Sequence, residues 1–253
     1  MSAAAATWPA LVERACLPYR PAGRFALHFA RGKLRHDPVF RHLLVHGLIA
    51  PHDRVLDIGC GQGLLASLLG AAGGEASGGR WPADWAAAPS GARVTGIDLS
   101  PREVARARQA LGESADFVCG DMRSTAFPAA DAVVILDALH YIGRAEQDAV
   151  LARARAALAS GGRLVLRVGD ATAGRRFAAS HWVDRVVSRV RGLTRPGRGR
   201  SADEWRARLA GLGFGVASLP MSKGTPFANV LLVGTLAPAL AGATPAAAET
   251  TCA

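Results

Sequence analysis

The feature that most constrains this chain is an alternation that begins at Arg54. Short apolar runs, most of them closing on an acidic residue or a glycine, are separated by stretches with helical spacing. RVLDIGC (54–60), RVTGIDL (93–99), ADFVCGD (115–121), DAVVILDAL (131–139) and RLVLRVGD (163–170) read as buried strands. GLLASLLGAA (63–72), residues 101–111 and residues 146–159 read as helices. The second of these carries its own boundary signals: Ser100 as cap, Pro101 in the first turn, Glu103 three residues after the serine, and Gly112 as stop. FGVASLPM and NVLLVGTL predict a terminal antiparallel hairpin. Strand–helix alternation at this spacing predicts an α/β fold with a parallel sheet and helices on both faces. In such sheets ligands bind at the carboxyl ends of the strands.

The rest of the chain divides around that core. Residues 1–50 read as irregular helix broken by Pro18, Pro21 and Pro38, an N-terminal helical lid over a main domain at 51–237. Within the main domain, residues 73–92 are rich in Gly, Ala, Ser and Pro and read as a surface insertion in loop form, and 174–200 as an acceptor-side helix and loop. Residues 238–253 read as a disordered Ala/Pro tail. The net charge of +10 comes mainly from arginine. It attracts anions, yet no dense basic run is interleaved with aromatics, so solvated helix faces are favoured over a nucleic-acid surface. Cys16, Cys60, Cys119 and Cys252 form no C-x-x-C pair, so neither a disulfide framework nor a metal site is expected. The opening residues lack the pattern of a signal peptide, and the apolar stretch near 230–248 is broken by Pro238 and Pro245. The expectation is a cytoplasmic protein with no membrane span.

Chemistry is therefore sought at the strand ends. The first strand runs into Asp57-Ile58-Gly59-Cys60-Gly61-Gln62-Gly63 and then directly into a helix. Glycines there let the backbone turn and approach a ligand closely. Gly61, Gly63 and Ala66 also fit the dinucleotide pattern, so a nicotinamide-dependent oxidoreductase stays open on the glycines alone. Asp57 weighs against it, because a pyrophosphate loop gains nothing from a nearby carboxylate. Asp98, ending the second strand, can accept ribose hydroxyls, and Asp121, ending the third, can accept an adenine amino hydrogen. Three acidic residues closing three successive strands beside one glycine loop make coincidence a poor explanation.

VLDIGCGQG, VTGIDLS, CGDM and GGRLVL, in this order and strand context, resemble the class I S-adenosylmethionine-dependent methyltransferases over about residues 53–168. The resemblance implies a Rossmann-like doubly wound, mostly parallel seven-stranded sheet with an antiparallel terminal strand, and S-adenosyl-L-methionine as cofactor. It implies that Asp57, Gly59, Cys60, Gly61 and Gly63 shape the methionine and ribose pocket. Asp98 and Leu99 would hold the ribose side, Asp121 and Met122 would read the adenine, and Leu136 with Asp137 would lie beside the sulfonium.

Methyl transfer from a sulfonium mainly requires that the acceptor be aligned and water excluded; a base is needed only where the acceptor must lose a proton. In LDALHYI, His140 is the candidate catalytic base or orienting group because its ordinary pKa lies near neutrality, with Asp137 and Tyr141 as substrate contacts. His181, beside Trp182, is a further substrate candidate, and Phe29, Arg31, Lys33 and Arg35 belong to the N-terminal lid. The family's nucleic-acid amino-methylating branch carries an Asn/Asp-Pro-Pro-aromatic motif after strand four, and its cytosine branch a Pro-Cys; neither stands here. HFARGKLRHDPVF, LDALHYI and GTPFANVLLV resemble methyltransferases of bacterial aryl-polyene pigment clusters. That likeness implies a small-molecule acceptor, aromatic or acyl-linked and carrier-bound in some cases, methylated on carbon or oxygen. An RNA methyltransferase drawing on the positive charge is the alternative within the family.

Overall fold

The computed structural model describes residues 5–171, 199–222 and 229–238. His181, Trp182 and nearly all of 174–200, and residues 239–253 of the tail, lie outside the described residues. Seven strands form one sheet: β1 (Arg54–Ile58), β2 (Arg93–Asp98), β3 (Asp116–Cys119), β4 (Ala130–Leu136), β5 (Leu158–Gly169), β6 (Phe214–Pro220) and β7 (Asn229–Leu236). Their order is β3-β2-β1-β4-β5-β7-β6. The first five are parallel to one another, whereas β7 is antiparallel to both β5 and β6 and sits between them. The doubly wound, mostly parallel sheet that the family resemblance implies is thus the observed one, with the last strand inside its edge hairpin. The winding reverses between β1 and β4, which opens a crevice at their carboxyl ends.

The alternation of strand side chains divides the core in two. Val55 of β1 and Ala132 and Val134 of β4 pack into one apolar cluster, and Leu56, Ile58, Val133 and Ile135 into the other. The second cluster is roofed by α6 (Arg144–Ala157) through Val150 and Leu151 and by α7 (Ala202–Gly211) through Trp205 and Leu209. The first is covered by α4 (Leu64–Ser77) and α5 (Pro101–Leu111), and also by the N-terminal helices.

Those N-terminal helices are α1 (Trp8–Cys16), α2 (Arg24–His36) and α3 (Pro38–Val45). Thr7 caps α1, and Asp37 caps α3 by accepting the Val39 amide hydrogen at 3.2 Å, with Pro38 at the first helical position. Leu11, Tyr19, Leu34 and Leu43 are at most 2% exposed, so this segment is a fixed wall of the core. The structure extends α4 past Ala72 through Gly73 and Gly74 to Ser77, into the stretch expected to be loop. The reason is Glu75: it is buried and ion-paired with Arg14 of α1 and with Arg80. After α4 the chain packs down through Trp81 and Trp85, whose rings meet edge to face at 5.3 Å.

Candidate active site

The glycine loop is shaped by its backbone. Gly59, Gly61 and Gly63 all have positive φ, at 80°, 55° and 79°. A Cβ on Gly59 would stand 2.5 Å from the Ala138 Cβ, and one on Gly63 would strike the Phe117 ring at 2.7 Å. A Cβ on Gly61 would meet nothing within 4 Å. The first contact is informative: the end of β4 lies against the loop that follows β1. Beneath the loop, the Cys60 thiol is buried against Gly96, and burial pushes its ionisation well above the ordinary range, so it is an inert filler.

Asp98 locks the loop. One carboxylate oxygen accepts the Gly61 amide hydrogen at 2.9 Å and the other accepts that of Ser100 at 2.8 Å. A carboxylate offers about four acceptor sites, so two such bonds leave room for ribose hydroxyls. Asp57 is almost wholly buried, and burial, aided by the negative charge of Asp98, raises its pKa to about 7. A carboxyl group so destabilised as an anion is suited to a cationic or multiply donating ligand. Leu99, immediately after Asp98, exposes about half of its surface.

Asp121 follows β3, but the Arg123 guanidinium covers its carboxylate, with Nη2 to Oδ2 at 2.6 Å, and also binds Glu146. Hydrogen bonding from Arg123 holds the Asp121 carboxyl below its usual range. The Met122 carbonyl accepts from Arg153 at 2.8 Å, which fixes the turn. The structure therefore gathers Asp57, the three glycines, Cys60 and Asp98 around one loop, with Leu99 and Asp121 along the neighbouring strand ends. His140 and Tyr141 lie in a short 3₁₀ turn after β4, their rings 4.0 Å apart between centroids and partly exposed. Leu136 is half-buried at the end of β4, paired in register with Arg167.

A side chain that the sequence reading passed over organises this end of the sheet. Arg167 lies in the apolar run of β5 and is only 1% exposed. Its Nε donates to Asp137 at 2.9 Å, its Nη2 binds the other oxygen of the same carboxylate, and its Nη1 binds Asp37. Lys33 joins them, 2.8 Å from Asp37 and 3.6 Å from Asp137. Burial alone would raise both acids, but Arg167 and Lys33 outweigh it: Asp37 falls to about 2, and Asp137 is also lowered. Asp137 has φ +56°, a left-handed conformation that costs a non-glycine residue of order 1–2 kcal/mol. The usable signal in the sequence was an arginine inside an otherwise buried strand, which demands acidic partners elsewhere. Tyr19 and Gln62 were missed as well. The Tyr19 hydroxyl donates to the Gln62 carbonyl at 2.9 Å, and the Gln62 side chain donates to the Ala26 carbonyl at 2.9 Å, so α2 is fastened to the glycine loop.

Residues 76–162 match the family described as a methyltransferase domain, a span that begins after the glycine loop. The chain is 37% identical over 130 residues to the carboxy-S-adenosyl-L-methionine synthase of Chromohalobacter salexigens, covering 47% of this chain and 43% of that protein. It thus spans less than half the length of that curated relative. Among solved structures, the magnesium protoporphyrin IX methyltransferase of Synechocystis PCC 6803 with bound SAH superposes with a TM-score of 0.55 at 22% identity, covering 85% of this chain and 89% of that one. The pyocyanin biosynthetic protein PhzM gives a TM-score of 0.57 at 21% identity, over 84% and 58% respectively. Likeness at this level establishes a common fold.

Proposed function

From the methyltransferase-domain match and the shared fold, we propose that this chain is a class I S-adenosylmethionine-dependent methyltransferase and that it methylates a small-molecule acceptor, an aromatic or acyl-linked intermediate, on oxygen or carbon. The observation that carries the reading is the joint between the two halves of the sheet. The Asp57–Gly63 loop, pinned by Asp98, lies against Ala138 just after β4, so a ligand cradled by the loop would extend toward Asp137 and His140. Bound S-adenosylmethionine supplies an activated methyl group there. Gly59, Gly61 and Gly63 would let the cofactor approach the backbone, Asp98 would take the ribose hydroxyls and Leu99 would lie along the adenine side. Asp121 retains acceptor capacity beyond the Arg123 bonds, and the Met122 backbone completes the adenine end. Asp57, destabilised as a buried anion, offers a partner to the ligand's cationic amino-acid end.

Support for a small molecule comes from the neighbours' own descriptions, a porphyrin and a pyocyanin-pathway enzyme among them. None of the described helices is long and apolar enough to cross a membrane. Among the described residues no cluster of His, Cys, Asp and Glu is arranged to hold a metal ion.

Calorimetry with S-adenosylhomocysteine, followed by labelled-methyl transfer to a panel of phenols, aromatic acids and their acyl-carrier thioesters, tests the reading. Micromolar affinity for the product and label in an organic acceptor are the expected results; absence of any affinity ends it. Mass spectrometry of the adenosyl product in the same reactions separates methyl transfer from carboxylation of the cofactor, the chemistry named for the Chromohalobacter relative.

A further inference from the structure

The cluster around Arg167 has a front and a back. Arg167 and the Asp37 side chain are 1% and 10% exposed, whereas the Asp137 and Lys33 side chains are 32% and 36% exposed. The buried pair fixes the geometry, and the half-exposed pair faces outward beside the end of β4. A carboxylate and an ammonium held side by side in this way are complementary to a hydroxyl, which donates to the first and accepts from the second. An ammonium has three N–H donors. Asp37 takes one at 2.8 Å, Asp137 lies at a looser 3.6 Å, and the remaining capacity suits a third oxygen.

The same helix supplies an apolar neighbour. Phe29 stands one turn before Lys33 and Phe25 one turn before that, so the three lie along one flank of α2. Phe25 and Phe29 are 62% and 39% exposed, among the few large hydrophobic residues so uncovered, and their rings stack at 6.1 Å with 11° between planes. Arg106 of α5 covers Phe25 at 4.7 Å, and Lys33 reaches Asp137 at the other end. The flank therefore runs from α5, which follows β2, to the tip of β4, and passes the glycine loop to which Gln62 and Ala26 fasten it.

We propose that Lys33 and Asp137 form the acceptor-oxygen site, with Phe29 as the wall for its ring, and that the acceptor is an aromatic compound with an acidic hydroxyl. Resting on the methyltransferase reading above, the inference makes Lys33 a catalytic residue and Arg167 a positioning residue. Lys33 stabilises the oxygen as its negative charge develops. The hydroxyl proton passes to water, the new O–C bond forms as the methyl C–S bond breaks, and that bond's electron pair stays on sulfur. Asp137, held as a carboxylate by Arg167, orients the hydroxyl and Lys33 and does not itself take the proton.

The test uses 4-nitrophenol as probe on the full chain saturated with S-adenosylhomocysteine, at a pH below the phenol's own pKa. Binding is expected to increase the phenolate absorption band. Lys33→Met is expected to abolish that increase and weaken binding about tenfold, with S-adenosylhomocysteine affinity within threefold of the parent. Phe29→Ala, at an exposed position that leaves the core intact, is expected to weaken nitrophenol binding several-fold while the residual complex keeps its phenolate band. Lys33→Arg, which keeps the charge should Lys33→Met fail to fold, is expected to retain part of the band. Arg167→Lys keeps the charge but loses the fork, so it should lower the band without a matching loss of S-adenosylhomocysteine affinity. The inference is overturned if the loaded protein does not bind nitrophenol, or binds it without the band, or if Lys33 and Phe29 substitutions change nothing. A parent chain that fails to bind S-adenosylhomocysteine overturns the methyltransferase reading instead.

Discussion

At the residue scale the most consequential group is Asp57. Burial first, and the charge of Asp98 second, raise its pKa to about 7, so the folded chain binds a proton there that the unfolded chain releases near pH 4. For a carboxyl raised in this way the contribution to stability is full below the ordinary carboxylate range and is lost as pH rises through about 7. Asp37, Asp131 and Asp137 shift the other way, so the effect is read as a difference between variants. Asp57→Asn should match the parent in melting temperature near pH 4 and exceed it by on the order of 5 °C at pH 8, with S-adenosylhomocysteine affinity reduced at least tenfold. Thermal melts at both pH values check this; a variant no more stable than the parent at pH 8 would contradict the burial argument. The meeting of Asp57, Asp98 and the glycines was legible in the sequence because it follows from position at a strand end, which local pattern reveals. Arg167, Asp37 and Tyr19 were not, because their partners are 30, 130 and 43 residues away in sequence. Such pairings exist only once the strands and the N-terminal wall are assembled.

At the element scale the strands could be read closely and the connections less so. Parallel strands buried on both faces announce themselves as apolar runs, and Ser100 with Pro101 marks the start of α5 as expected. The continuation of α4 through Gly73-Gly74 could not be read from propensity, since each glycine costs a helix about 1 kcal/mol relative to alanine. Tertiary contact overrides that cost. Glu75 is 2% exposed and holds both Arg14 and Arg80, which ties the last turns of α4 to α1 and to the Trp81 segment. Glu75→Gln leaves the shape but removes the charge that both arginines address. Because Arg14 and Arg80 can rehydrate at the surface, the expected loss is about 1–2 kcal/mol, not the larger penalty of a stranded buried cation. Urea denaturation should register that loss while S-adenosylhomocysteine affinity stays within twofold. An affinity loss equal to the stability loss would mean that α4 transmits strain to the glycine loop.

At the scale of the whole molecule the question is what a net charge of +10 does. Summed over the sequence it suggests a polyanion partner, but many of the basic side chains are tied to acidic neighbours and do not stand free to meet phosphates. Arg54 is paired with Asp131, Arg106 with Glu103, Arg123 with Asp121 and Glu146, Arg144 with Glu204, and Arg200 with Asp148. Arg167 is buried, and Arg14 and Arg80 share Glu75. An arginine held by a carboxylate in this way is a poor partner for a phosphate, because binding there would cost the existing ion pair. Affinity for nucleic acid rises with the number of phosphates neutralised together and falls steeply with salt when that number is large. The expected behaviour is therefore non-specific: an RNA oligomer followed by fluorescence anisotropy should bind no tighter than roughly 1–100 μM at physiological salt, with little preference for sequence or structure. Nanomolar affinity with a steep salt slope would instead place an RNA on the acceptor side and displace the phenolic hydroxyl as the group that Lys33 and Asp137 address.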